Sequence, residues 1–212
     1  MMRWRGITLP LIAALLLGGC VAGGTVTRAV TRLSGSQMDR APDQMARLAA
    51  AGAPAAGIWI LTTGVASRLV AEGSRDGVIR WRSLENTQVY TRDGMIIGTR
   101  GLGHDLMTAD PGDAATLILA AGTGQTTRIH RVLDGEDRLV IRAFVCDIAP
   151  VGMESIYKDA VGNPVRALRV DELCYGPSGN FKNHHWLRNG RIEQTIQFIG
   201  PEIGRIQLRF LP

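Results

Sequence analysis

Cysteine and histidine are the residue types here best suited to specific chemistry, and both are scarce: three cysteines and four histidines in 212 residues. Cys20 closes the run Leu17-Gly18-Gly19-Cys20, a branched apolar residue, two small residues and then a thiol. That order fits a lipobox, in which the cysteine becomes the new N-terminus and its sulfur receives diacylglycerol. Upstream stand Arg3 and Arg5, followed by the apolar, uncharged stretch Ile7 to Leu17. This is the three-part layout of an export signal, and the stretch is shorter than the roughly 20 residues that a membrane-spanning helix needs. Residues 1–19 are therefore expected to be a cleaved signal peptide and Cys20 the lipidation site. In an oxidising compartment, Cys146 and Cys174 would then form a disulfide. A bridge between them closes a loop worth roughly 3–4 kcal/mol on the chain-entropy argument. Spacing alone does not bring their Cα atoms within bridging distance, so two unpaired buried thiols remain the alternative.

The histidines are His104, His130, His184 and His185. Neighbouring residues on a strand point to opposite faces, so His184 and His185 cannot readily share one metal ion. No carboxylate or cysteine cluster with metal spacing accompanies them, and no metal or other cofactor is expected. In Gly101-Leu102-Gly103-His104-Asp105 a His-Asp pair stands beside two glycines, but no Gly-x-Ser-x-Gly supplies a nucleophile. The segment reads instead as a bent hairpin exit, with Asp105 capping the turn. Glu154, Asp159, Asp171, Glu172 and Glu193 could serve acid/base work, yet nothing in the sequence pairs any two of them. Gly122-Thr123-Gly124 lacks the lysine and helix of a phosphate loop and reads as a turn. Trp59, Trp81, Tyr175 and Trp186 could stack on sugar rings or fill a core. Arginines on polar strand faces could meet an acidic polymer or form a solvated face.

The elements that would position these residues are mostly strands. Residues 37–51, with Met38, Met45 and Leu48 among alanines, predict a short helix with a break at Pro42. Val26, Val30 and Leu33 stand at helical spacing just after the lipobox, as an amphipathic helix or a plain tether. From Ile58 onward the apolar period is two. Asp93-Gly94 and Asn189-Gly190 supply the positive backbone angles of tight hairpin turns. In the last strand Ile206, Leu208 and Phe210 share one face, and Arg205, Gln207 and Arg209 the other. Nine or ten such strands predict a mainly β protein, with antiparallel sheets folded as a sandwich or open barrel behind a short N-terminal helix. The expected organisation is residues 1–19 as signal, 20–36 as lipidated tether and 37–212 as a single β-rich domain. Without Arg3 and Arg5 the 24 basic side chains become 22 against 19 acidic ones, a net charge of about +3. So mild an excess points to no nucleic-acid partner.

The stretch Val89-Tyr90-Thr91-Arg92-Asp93-Gly94-Met95-Ile96-Ile97-Gly98-Thr99-Arg100-Gly101-Leu102-Gly103-His104-Asp105-Leu106 resembles the hairpin and Gly-Leu-Gly-x-Asp-Leu segment of the YjbF/GfcB group 4 capsule lipoproteins. Similar to the same family, in the same order, are Arg169-Val170-Asp171-Glu172, Asn183-His184-His185-Trp186, Gly190-Arg191-Ile192 and Gln197-Phe198-Ile199-Gly200-Pro201. The resemblance implies a β-rich periplasmic lipoprotein with envelope polysaccharide-secretion proteins as partners, polysaccharide as a further candidate, and no established catalytic activity, so no enzyme is expected. Val21 follows Cys20 where an aspartate would be the inner-membrane retention signal, so sorting to the outer membrane, facing the periplasm, is expected. His104, Asp105, Asn183, His185, Trp186 and Gln197 are the candidate glycan or partner surface. Two alternatives stand: a polysaccharide-modifying hydrolase or lyase using His104 or His185 with a carboxylate, and a general envelope-assembly lipoprotein with an exposed apolar groove.

Overall fold

The computed structural model describes residues 40–158 and 162–211. Cys20, the signal segment and the Val26–Leu33 stretch lie outside the described residues. Helix α1 spans Arg40–Ala50. Pro42 falls in its first turn, where a missing N–H removes no intrahelical bond, so the expected break does not occur. Gly52 at φ +72° then ends the helix in the left-handed conformation that glycine adopts freely.

Residues Gln44–Pro212 form a compact unit. Its strands are β1 (Ala55–Ile60), β2 (Val65–Arg75), β3 (Val78–Arg82), β4 (Gln88–Arg92), β5 (Met95–Arg100), β6 (Leu106–Asp110), β7 (Gly124–Leu133), β8 (Leu139–Lys158), β9 (Pro164–Gly176), β10 (Gly179–Arg188), β11 (Arg191–Gly200) and β12 (Gly204–Phe210). A short helix, α2 (Ala114–Leu119), joins β6 to β7. The twelve strands make one antiparallel sheet in the order β5-β4-β3-β2-β1-β12-β11-β10-β9-β8-β7-β6. Each strand pairs with its sequence neighbour, and β1 pairs with β12 to bring the two ends of the chain together. The sheet ends, β5 and β6, are joined by a tight turn and lie side by side. The result is a nearly closed barrel-like sheet rather than a sandwich. It holds two more strands than the sequence pattern predicts, β2 and β6. Near-closure hides the edges that would otherwise recruit foreign strands.

Hairpin turns set the register. Asp76-Gly77, Asp93-Gly94 and Asn189-Gly190 all have both residues at positive φ, between +51° and +80°, as two-residue turns matching strand twist require. Gly94 is also a close approach: a Cβ there would lie 2.7 Å from Ile192 Cβ.

The interior is layered. At one end Ala114 and Ile118 of α2 pack with Met95, Ile148, Val170, Leu187 and Ile192 and plug the barrel. Toward the other end Phe144, Phe181 and the Cys146–Cys174 disulfide form a second cluster, with Phe198 against it. Between these clusters the inward faces of β9 and β10 are polar: β9 runs Val170, Glu172, Cys174 and β10 runs Leu187, His185, Asn183, Phe181, all buried. The largest apolar cluster comes from the other strands and includes Ile58, Leu69, Trp81, Val89, Ile206 and Leu208.

Candidate functional site

Glu172 is the centre of the polar layer. Its side chain and that of Arg128 on β7 are 0% and 2% exposed. Arg128 donates from Nε to Oε1 and from a terminal nitrogen to Oε2, each at 2.9 Å. Asn183 Nδ2 donates to Oε2 at 2.7 Å, and its Oδ1 accepts the Phe198 backbone N–H at 2.8 Å. His185 Nε2 stands 3.4 Å from the same carboxylate, and its Nδ1 lies 3.0 Å from the Thr195 hydroxyl. Burial works to raise the Glu172 pKa, but the Arg128 charge and the His185 and Arg128 hydrogen bonds outweigh it and hold the carboxyl ionised. Burial also lowers the His185 pKa, against the pull of Glu172, and keeps this imidazole neutral. The arrangement is a fully committed ion pair with neutral donors, closed to solvent.

His130 lies on the same inward face of β7 as Arg128. Its ring stacks on Phe181 at 5.6 Å and meets Phe144 edge-on at 5.5 Å. Burial, then the nearby Arg128 charge, push its pKa from 6.5 down to about 3. The unfolded chain therefore takes up this proton before the folded one does. The stabilising contribution is whole above pH 6.5 and is lost as pH falls toward 3, reaching about 2 kcal/mol by pH 5. Glu172 acts in the same direction below its unfolded value of 4.5. Urea denaturation at pH 7 and pH 5 checks this: His130→Phe should lose about 2 kcal/mol less than the parent between the two pH values. An equal loss in both proteins would remove His130 as the cause.

Trp186 is on the opposite face of β10 from His185. The far part of the β8–β9 hairpin meets the outward side chains of β10, β11 and β12 at Trp186, Glu193 and Arg209. Trp186 Nε1 donates to Glu154 at 2.9 Å, and its ring lies 5.8 Å from that of His184. Arg169 bridges Glu154 and Asp171, while Lys182 and His184 each reach Asp171 at 2.7 Å. Burial tends to raise the Asp171 pKa, but Lys182 and His184 bring it below the usual value. Farther along, Tyr157 contacts Glu193 at 3.1 Å, and the Arg209 guanidinium packs over Tyr157 and Trp59. This cluster straps the arm to the barrel wall.

His104 and Asp105 occupy the β5–β6 turn. His104 is exposed. Asp105 is the turn cap expected from sequence: it accepts from Gly101 N at 2.9 Å, Leu102 N at 3.3 Å and the Thr99 hydroxyl at 2.8 Å. Thr99 Oγ1 in turn accepts the Leu106 N–H at 3.0 Å, and the Arg100 guanidinium donates to the carbonyls of Leu106 and Met107, both at 3.3 Å. Side chains thus replace the missing backbone ladder between β5 and β6. Asp105→Ala is expected to cost about 1–2 kcal/mol by orphaning the buried Thr99 hydroxyl. Hydrogen exchange should show faster loss of the Leu106 amide proton; protection equal to the parent would refute the seam role.

Gln197 faces the interior of β11 at 1% exposure, and neither amide atom has a hydrogen-bond partner. An unpaired buried amide opposes folding, so Gln197→Leu should raise stability by about 1–2 kcal/mol. Thermal denaturation decides this, and a lower midpoint would contradict it.

The six candidate surface residues therefore separate. Asn183 and His185 meet at Glu172, Gln197 is also interior, Trp186 lies under the outer arm, and His104 and Asp105 sit in the seam turn. As a correction, Asn183, His185 and Gln197 offer no outer surface, because they stand on the inward faces of β10 and β11 beside Phe181, Leu187, Ile192 and Ile199. The partner that organises the buried set, Arg128, is 44 residues from Glu172 in sequence. Its one sequence signal is that it stands in phase with Val132 on β7.

No curated protein sequence matches the chain. Among solved structures, the hypothetical lipoprotein YmcC from Escherichia coli (K12) superposes with a TM-score of 0.66 at 16% identity, covering 85% of this chain and 94% of that one. That likeness supports the fold. The sequence itself matches the group 4 capsule polysaccharide lipoprotein family, GfcB/YjbF, across residues 24–211. The chain belongs to the YjbF family of group 4 capsule lipoproteins, envelope-associated proteins of capsule systems.

Proposed function

We propose that the protein is anchored through Cys20 in the outer membrane, faces the periplasm, and serves capsule or exopolysaccharide secretion as a non-enzymatic accessory. The family match over residues 24–211 carries the pathway. Action by contact rather than by catalysis is supported by Glu172: its carboxylate is sealed from solvent and committed to Arg128, Asn183 and His185. A protein partner from the secretion machinery fits the outer face around β8, where Leu133, Leu139, Ile141, Val145 and Tyr175 are exposed together.

Gene deletion with complementation by the parent and by Cys20→Ala is the test. The deletion should abolish or sharply reduce surface polysaccharide, the parent should restore it, and Cys20→Ala should fail while leaving the membrane fraction. Unchanged polysaccharide in the deletion strain would overturn the reading.

A further inference from the structure

The outer face of β2–β4, remote from the polar layer, holds an arginine-rich groove. It has a volume of about 480 Å³, and its lining includes Gly73, Arg75, Asp76, Arg80, Tyr90 and Arg92. Its floor is opened by a bulge in β2 between Ala71 and Gly73, and a Cβ placed on Gly73 would meet nothing within 4 Å. Beneath it the Glu72 carboxylate, with a side chain 2% exposed, holds Arg80 Nε at 2.9 Å and Arg82 Nε at 2.7 Å. One buried carboxylate thus anchors two guanidinium groups by charge, in ion-pair contacts that leave Glu72 Oε2 and Arg82 Nε without an aligned hydrogen bond. Arg80 keeps its terminal nitrogens to offer, and its side chain is 48% exposed.

The charges do not cancel: in the groove's own lining Arg75, Arg80 and Arg92 outnumber Asp76, and the Glu72 carboxylate is shared between Arg80 and Arg82. Arg92 is exposed and has no counter-ion among the described residues. Tyr90 supplies a fixed ring between these arginines: its hydroxyl donates to Gln88 at 2.7 Å, and the Arg100 guanidinium lies 5.8 Å from the ring centroid. Guanidinium groups bind carboxylates in paired hydrogen bonds, and a tyrosine face receives the apolar face of a sugar ring. Of these groups Arg80 and Tyr90 are held in advance, which lowers the ordering penalty of binding, while Arg75 and Arg92 are exposed.

We infer that this groove binds an anionic carbohydrate, with the arginines taking carboxylate groups and Tyr90 the adjoining sugar ring. This deepens the proposed role in polysaccharide secretion and rests on it for the identity of the natural polymer. The binding itself rests on the groove. A bare phosphate or lipid headgroup would use the charges and leave Tyr90 idle, whereas a uronic acid uses both.

Full-length protein in detergent micelles, titrated calorimetrically with oligogalacturonate of defined length, tests the inference. Binding should weaken as salt rises and be absent for a neutral dextran oligomer of equal length. The Arg75→Glu/Arg92→Glu protein should lose about tenfold or more in affinity. Gly73→Leu, which fills the groove without altering charge, should weaken binding at an unchanged melting temperature. No binding of oligogalacturonate, equal binding by both variants, or binding only to phosphatidylglycerol vesicles would overturn the inference. In cells the two readings separate. If deletion abolishes capsule but Arg75→Glu/Arg92→Glu restores it fully, the groove fails and the pathway stands; if deletion leaves capsule intact, the pathway fails whatever the titration shows.

Discussion

Arg128→Met is expected to lower the free energy of unfolding by about 3–5 kcal/mol, because it leaves the Glu172 carboxylate buried without its counter-charge. Methionine roughly matches the stem of arginine in volume, so most of the loss is electrostatic rather than a cavity effect. The remaining donors, Asn183 Nδ2 at 2.7 Å and the neutral His185 at 3.4 Å, cannot replace a bidentate guanidinium. Burial, no longer opposed, would raise the Glu172 pKa and favour its protonated form. Adding Glu172→Gln tests this directly. The amide oxygen still accepts from Asn183 and His185 while the charge disappears, so the double variant should be more stable than Arg128→Met alone. Urea denaturation at pH 7.5 gives all three values. A loss below about 1 kcal/mol for Arg128→Met would mean that water reaches the pair and screens it.

The same layer shows where sequence reading reaches its limit. Hairpin turns at Asp93-Gly94 and Asn189-Gly190 were legible because positive φ at both positions restricts the residues that can stand there. The β12 alternation was legible because its inward face is apolar: Ile206 and Leu208 are 0% exposed. On β10 that rule fails, since Asn183 and His185 point inward between Phe181 and Leu187 while Trp186 points outward between His184 and Arg188, and a hydrophobicity pattern cannot show which face is core. Strand β2 was missed because its bulge at Ala71 and Gly73 interrupts the period of two. Helix α2 is only six residues long, less than two turns, so no amphipathic period could reveal it, although Asp113 stands at its N-cap. The turn role of Asp105 was local and could be read. The Arg128–Glu172 pair depends on β7 and β9 flanking β8, which no local pattern encodes.

Family membership and the groove point to different aspects of one arrangement. The buried layer fixes the barrel, and the outer face is where the proposed polymer or partner contact would be made. Substitutions inside should therefore act on capsule through protein abundance, while those at Arg75, Arg92 or Gly73 should act at normal abundance.

Removing the Cys146–Cys174 disulfide is expected to destabilise the folded state by about 3–4 kcal/mol, through the greater freedom of the unfolded chain. The two residues are direct partners across β8 and β9, with Cα atoms 4.0 Å apart and a sequence separation of 28. The bridge ties together the base of the hairpin whose far part meets β10–β12, and both cysteines are fully buried against Phe144 and Phe181. Cys146→Ala/Cys174→Ala should show the loss in urea denaturation without reductant, and dithiothreitol should impose a comparable loss on the parent alone. An unchanged midpoint in reductant, with free thiols verified by mass, would contradict the prediction. The sulfurs also lie within 4.8 Å of a Glu172 carboxylate oxygen, one step along the same inward face of β9. The bridge therefore holds β8 against β9 at the level next to the ion pair. Opening it should loosen Glu172 as well, so its effect and that of Arg128→Met should sum to less than the two measured separately. Simple additivity would show instead that the aromatic and polar layers are energetically independent.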